Sequence, residues 1–327
     1  MTDLTSLYYF IEAAKDLHIT LTARRLYITQ QTLSNHIMRI EEYYGVKLFH
    51  RHPKLQLTSA GREVLKFAEE VYREELNLKG ILSDSIQSET GEITIGASSP
   101  RSNYYLPDVL KKFSARYPNV MINLVDKTSG ELEKLTQSNG LDFAVTVDSD
   151  ITSPIISRSE HSDPIYFCVS DRLLRRHYGE DITALKETAI THGADMKDFA
   201  NIPFMIISPN NRMGRRINEC FRIAGYAPKV YLNATYTTIM APLCNAALAG
   251  CFTSHMNLSR WMGNIDDDVN IFPLVQGNEA VMLTLRVIYN RNRYLNHHCR
   301  YFLDLLDEQF AVMETSKLAK ISTGYNK

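Results

Sequence analysis

The 327-residue chain is short of several things, and each shortage removes a class of function. It has five cysteines, Cys168, Cys220, Cys244, Cys251 and Cys299, an odd number with no C-x-x-C spacing. That argues against a disulfide framework or a zinc site and for reduced, buried thiols. His297-His298-Cys299 does not change this, because neighbours on a helix or strand point apart. No apolar run approaches the roughly 18 residues that a membrane span needs. The start of the chain has no basic segment leading into an apolar one, so a cytoplasmic location is expected rather than secretion. The motifs G-x-S-x-G, G-x-x-x-x-G-K-[ST], H-E-x-x-H and a post-strand G-x-G-x-x-G are all missing, so no enzyme activity, cofactor or metal is expected. Nor is there an excess of one charge: the net of −1 is not that of a globally basic nucleic-acid binder.

What is present is ordinary globular material, 44% hydrophobic and 22% charged, in a chain long enough for two or three units. Charge is unevenly shared. Residues 1–58 carry Lys15, Arg24, Arg25, Arg39, Lys47, Arg51 and Lys54 against Asp3, Glu12, Asp16, Glu41 and Glu42, a balance of +2 that leaves −3 elsewhere. That asymmetry is weak support for a nucleic-acid partner.

The informative stretch is 19–45, ITLTARRLYITQQTLSNHIMRIEEYYG. Ala23 and Leu26 share one helical face; Leu33, Ile37 and Ile40 share another. Tyr27-Ile28-Thr29 makes the corner between them, and Thr29 is a good N-cap for the second helix. Gln30, Gln31, Thr32, Ser34, Asn35 and His36 open that helix with uncharged hydrogen-bonding groups, the type that reads base edges in the major groove. Two helices so arranged are a helix-turn-helix. The alternative is a helical hairpin with a polar solvent face. Next comes an apolar run, 46–49, a basic turn, His50-Arg51-His52-Pro53-Lys54, and an alternating Leu55-Gln56-Leu57. A basic hairpin there is placed to touch phosphates.

Residues 4–61 resemble the N-terminal domain of LysR-type transcriptional regulators, through LYYFIEAAK (7–15), the helix holding Ala23 and Leu26, ITQQTLSNHIMRIEEYYGVKLFHR (28–51) and LTSAG (57–61). Three places depart from the family pattern. Gln31 stands where a proline is usual, Leu21-Thr22 replace a basic residue and alanine, and Asn35 stands where arginine is frequent. The resemblance puts Gln30, Thr32, Ser34 and Arg39 at DNA-facing positions. With the chemistry of the helix, Gln30, Gln31, Thr32, Ser34 and Asn35 are expected to approach bases, and Arg39, Arg51, His52 and Lys54 to hold phosphates.

Ser59 opens a long helix expected to reach about residue 88, with Leu65, Ala68, Tyr72, Leu76, Leu82 and Ile86 at roughly helical spacing. A stripe that long needs a partner, either a second copy or its own domain. In the resembling family this segment is the linker that pairs subunits, so a homodimer or homotetramer on double-stranded DNA is implied, with RNA polymerase as a further partner.

Ser88-Glu89-Thr90-Gly91 breaks the helical pattern. Beyond it strands (92–97, 120–125, 141–147, 203–207, 229–232, 250–253, 281–289) alternate with helices (104–117, 130–137, 213–224, 239–249, 301–310), which reads as a parallel sheet with helices on both faces. The expected architecture is thus multidomain: an all-α winged helix-turn-helix (1–58), a linker helix (59–90), and a two-subdomain α/β domain (91–327). Its halves are joined by crossings near 160–170 and 270–280, and it resembles periplasmic binding proteins and the family's effector domain. Residues 172–200 exceed the family's usual length there.

Ligands in such sheets sit beyond the strand ends, at helix N-termini. Ser98-Ser99-Pro100-Arg101-Ser102, Thr128-Ser129 and Ser208-Pro209-Asn210-Asn211-Arg212 all meet that description. The resemblance adds Ser98, Ser99, Thr128, Ile207 and Thr253. The expected effector site is Ser98, Ser99, Arg101, Thr128, Ile207, Ser208 and Thr253, for a small anion. The alternative for each loop is plain helix capping, with Arg101 and Arg212 in solvent. A DNA-binding regulator answering to a small anionic effector is the reading that results. Its rivals are a cytosolic solute-binding or catalytic α/β protein with an incidental helical N-terminus, and a regulator with a degenerate pocket.

Overall fold

The computed structural model describes residues 3–50, 54–86, 89–234, 239–261 and 263–315. They form two compact units, Met1–Ser88 with Arg293–Asn296, and Glu89–Asn292 with His297–Lys327.

In the first unit α1 (Leu4–Asp16), α2 (Ile19–Arg25) and α3 (Gln30–Tyr44) are each closed by a local signal. Asp3 and Thr29 accept the Ser6 and Thr32 amides as N-caps, and Gly45 ends α3 at a φ of 68° that suits glycine. The helices enclose Leu7, Phe10, Ile11, Ala23, Leu33, Ile37, Ile40, Leu48 and Phe49. A buried carboxylate braces this core: Glu41 accepts the Leu48 amide at 2.9 Å and the Lys47 ammonium at 2.7 Å. β1 (Phe49–His50) pairs antiparallel with β2 (Gln56–Leu57) as the wing. The tip residues Arg51, His52 and Pro53 lie outside the described residues. Thr58 then caps α4 (Ser59–Ser85), about 40 Å of helix whose first turns complete the core through Ala68, Val64 and Leu65.

The second unit begins with β3 (Thr90–Ala97), α5 (Ser99–Arg116), β4 (Asn119–Val125), α6 (Ser129–Gln137) and β5 (Phe143–Val147). β6 (Ile155–Ser170) carries the chain into a second lobe. There follow α7 (Asp171–Tyr178), α8 (Thr183–His192), β7 (Ala194–Asp195), a 3-10 turn (Met196–Phe199), β8 (Pro203–Ile207), α9 (Arg212–Ile223) and β9 (Lys229–Ala234). The lobe ends with α10 (Met240–Asn245), β10 (Cys251–Ser254), α11 (His255–Trp261), β11 (Val269–Gln276) and β12 (Glu279–Ala280). β13 (Met282–Asn290) and α12 (His297–Thr315) return to the first lobe.

The sheet is mixed, not parallel as the alternation suggested. β3 runs parallel to β4 and β5, while β8 and β9 form a separate parallel pair. β13, however, lies antiparallel between β5 and β6, because the chain crosses between lobes twice and in opposite senses. β6 serves both lobes: residues 155–164 pair with β13, while 165–170 pair with β10 and β11. The second lobe packs on Phe167, Phe199, Phe204, Phe221 and Phe252, with ring centres 4.9 Å apart for Phe167–Phe199 and Phe204–Phe221. In the first lobe Tyr105, Phe113, Phe143, Phe302 and Phe310 play that part.

Candidate nucleic-acid and effector sites

α3 turns Leu33, Ile37 and Ile40 inward, and this leaves Gln30, Gln31, Asn35, Met38 and Arg39 exposed, with Thr32 and Ser34 half-buried. Two of the polar groups already have local partners. Gln30 Oε1 accepts the Thr20 hydroxyl at 2.9 Å, which fixes its side chain on the α2–α3 rim. Thr32 Oγ1 lies 2.8 Å from Thr29 Oγ1. His36 belongs to the packing instead: Nδ1 is 2.8 Å from the Ser6 hydroxyl, and its ring meets Tyr9 edge-on at 4.8 Å. Lys54 is exposed at the base of the wing. Arg25 is spent internally, donating to Glu12 at 2.5 Å and Asp16 at 2.7 Å, which keeps α2 rigid against α1.

In the second unit the N-termini of α5, α6 and α9 converge on one cavity of about 280 Å³. Ser98, Arg101, Lys127, Thr128, Ser129, Lys134, Asn210, Asn211, Arg212, Arg215 and Asn257 supply its polar wall, and Glu131 is its single acid among the described residues. The positive ends of three helix dipoles and this cationic surplus favour a negatively charged guest. Of the expected effector residues, Ser98, Arg101 and Thr128 line the cavity. Ser99 does not; its amide donates to Asp126 at 2.9 Å and its hydroxyl donates to the same carboxylate. Ile207 is buried under the β8–α9 loop, Ser208 Oγ takes the Asn210 amide at 3.4 Å, and Thr253 is buried in β10.

Neither arginine of the loops stands in solvent. Arg212, 11% exposed, donates from the second lobe to the Val147 carbonyl at 2.8 Å and to Glu133 at 2.6 Å in the first. Arg101, 12% exposed, donates to Ser98 Oγ at 3.2 Å, and burial pushes its pKa down. Lys127 and Lys134 escaped the sequence reading because each is one of many surface lysines until the fold brings its loop or turn to the cavity. Asn257, from α11, carried no sequence signal at all.

The five thiols are all buried and none is in a disulfide, and burial pushes Cys220 up to about 11. Among the described residues no group of three His, Cys, Asp or Glu side chains could hold a metal, and no helix is long and apolar enough to cross a membrane.

A winged helix-turn-helix head, with a separate two-lobed α/β unit holding a cation-lined cleft, defines a DNA-binding regulator governed by a small molecule. Residues 4–62 match the bacterial regulatory helix-turn-helix protein of the lysR family, and residues 87–311 match the LysR substrate binding domain. The chain belongs to the LysR family of transcriptional regulators. It is similar to the uncharacterized HTH-type transcriptional regulator YcgK of Bacillus subtilis (strain 168), 26% identical over 318 residues and 94% of each chain. It is also similar to HTH-type transcriptional regulator CysB of Burkholderia cenocepacia, 23% identical over 222 residues and 67% of each. Among solved structures, a full-length OxyR variant from Pseudomonas aeruginosa shares its fold at a TM-score of 0.67, 14% identity and 95% of each chain. Full-length CbnR complexed with its target DNA does so at 0.55 and 17%, over 94% of this chain and 99% of that one. The family resemblance and the multidomain fold class read from the sequence are both borne out.

Proposed function

We propose that the exposed face of α3 reads an operator and that the cavity between α5, α6 and α9 takes a small, strongly polar anion. On this reading Gln30, Gln31, Thr32, Ser34 and Asn35 meet base edges, while Arg39, Lys54 and the wing tip hold phosphates. The observation that carries the effector assignment is the meeting of three helix N-termini with Arg101, Lys127, Lys134 and Arg215 against Glu131 alone. Among the described residues the only non-glycine apolar side chains in that wall are Val147 and Met213, which favours a compact oxyanion such as a short carboxylate over an aromatic acid.

Exposed Leu78, Ile81 and Leu82 along α4 support its use as a pairing helix between two copies, which sets two heads on one duplex in the cytoplasm. Binding of the anion to one lobe arrangement in preference to another then alters how the heads are held. The test is footprinting of the full chain on DNA upstream of its own gene, with competitor DNA, with and without candidate anions. An interrupted near-palindrome whose protection changes with one anion is the expected result. Equal loss of specific and random binding in Gln30→Ala/Ser34→Ala would remove the base-reading role.

A further inference from the structure

Behind the cavity wall lies a buried charge that the pocket itself does not use. Asp163 is 0% exposed and sits on β6 where that strand changes partners: it is opposite Leu283 of β13, and the strand pairs with β10 from Ile165 and with β11 from Tyr166. The Met256 amide, in the first turn of α11 of the second lobe, donates to its Oδ1 at 3.2 Å. Its Oδ2 has no hydrogen-bond partner and faces Nε of Arg101, likewise without one, across 3.9 Å. The neighbouring Tyr105 hydroxyl on α5 is buried and unpartnered too. Such a pair is too long for a hydrogen bond yet sealed from water, an arrangement that is costly unless it closes in another state.

We propose that Asp163 is a positioning residue of the effector site: it competes with the bound anion for Arg101 and passes occupancy of the cavity to α11. The inference rests on the anionic-effector reading above. Arg101 has two faces, one lining the cavity and one turned to Asp163. An anion in the cavity redirects the guanidinium and so alters the pull on a carboxylate that also holds the α11 N-terminus. Because Asp163 and the anion repel one another through a poorly solvated wall, removing its charge tightens anion binding while severing the message. A merely structural role predicts the opposite, weaker binding together with a lost response.

The protein supplies its own reporter. Its single tryptophan, Trp261, is 9% exposed at the end of α11. The full chain is titrated with inorganic phosphate, sulfate, acetate and oxalate at constant ionic strength, with heat of binding and Trp261 emission read in parallel. In the unmodified protein at least one anion is expected to bind and to shift the emission. Asp163→Asn is expected to bind the same anion about threefold or more tightly with the emission shift lost. Arg101→Lys keeps a cation at the cavity but removes Nε; it is expected to bind less tightly and also to lose the shift. Weaker binding by a folded Asp163→Asn, or an undiminished Trp261 shift in either variant, overturns the proposal. If Asp163→Asn does not fold, Arg101→Lys decides by its emission alone. No binding of any of the four anions to the unmodified protein overturns the anionic-effector reading itself, and this inference with it.

Discussion

Gly61 is where the head and the long helix press hardest on one another, and Gly61→Ala gives the sharpest test of how that unit is built. A Cβ at this position would lie 2.1 Å from the Leu48 carbonyl oxygen. The two atoms must part by more than about 1 Å to reach ordinary contact. Neither side yields freely. That carbonyl accepts the Thr58 amide at 3.0 Å, the Thr58 hydroxyl donates to Lys47 O at 2.6 Å, and the same hydroxyl oxygen accepts the Gly61 amide at 2.8 Å. Breaking two of these costs about 1 kcal/mol each. Overpacking adds about 1–3 kcal/mol. Against this, alanine gains about 1 kcal/mol over glycine inside a helix. The net expectation is a loss of about 2–4 kcal/mol. With a urea slope near 1 kcal/mol/M for a head of this size, its midpoint falls by roughly 2–4 M. Trp261 lies in the other unit, so far-UV circular dichroism should register the shift while tryptophan emission does not. A midpoint that rises, as helix propensity alone demands, would refute the close-packing argument.

Three further outcomes are expected. Tyr27 is 97% exposed and held at a φ of 55°, so Tyr27→Gly should raise the head's stability by about 0.5–1 kcal/mol; a fall in urea midpoint would show that the ring makes a contact of its own. Burial works to raise the Asp16 pKa, but hydrogen bonds from Arg25 and Thr22 outweigh it and hold the group below its usual value. Its stabilising share is therefore complete above about pH 4 and is lost as pH falls through the lowered folded value. Asp16→Asn should accordingly be less stable than the unmodified protein at pH 7, with the difference shrinking as pH falls below about 4; a difference that stays constant on acidification would exclude the ion pair as the cause. Arg39→Ala should weaken operator and random DNA alike and reduce the salt slope by about 1. Selective loss on the operator would move Arg39 from phosphate to base contact.

Legibility followed locality. The helix-turn-helix could be read because its signals, Thr29, the Leu33–Ile37–Ile40 stripe and Gly45, all act within a few residues. β6 could not. Its first part is polar and alternating, its second part is wholly buried, and Pro164 interrupts it where a strand usually stops. Proline is tolerated there because β6 changes partners at that point. α5 begins at Ser99, five residues earlier than read, with proline at its start where the amide would be unpaired anyway, and it runs through Pro107. α7, α8 and the 3-10 turn fill the 172–200 stretch that sequence patterning left unassigned. Within the effector site, loops next to strand ends were legible; Asn257 and the Arg101–Asp163 pair depend on which elements the crossing strand brings together.

The position of β13 sets an order for the protein's making. The first lobe's sheet is complete only when Met282–Asn290 slides between β5 and β6, and α5 gains its last helical neighbour only with α12. A nascent chain therefore emerges with its DNA-reading head able to close at once, while the lobe that opens the effector unit stays unfinished until nearly the whole chain has left the ribosome. During that interval the lobe exposes the edges of β5 and β6, the surfaces a chaperone or a neighbouring chain would meet first.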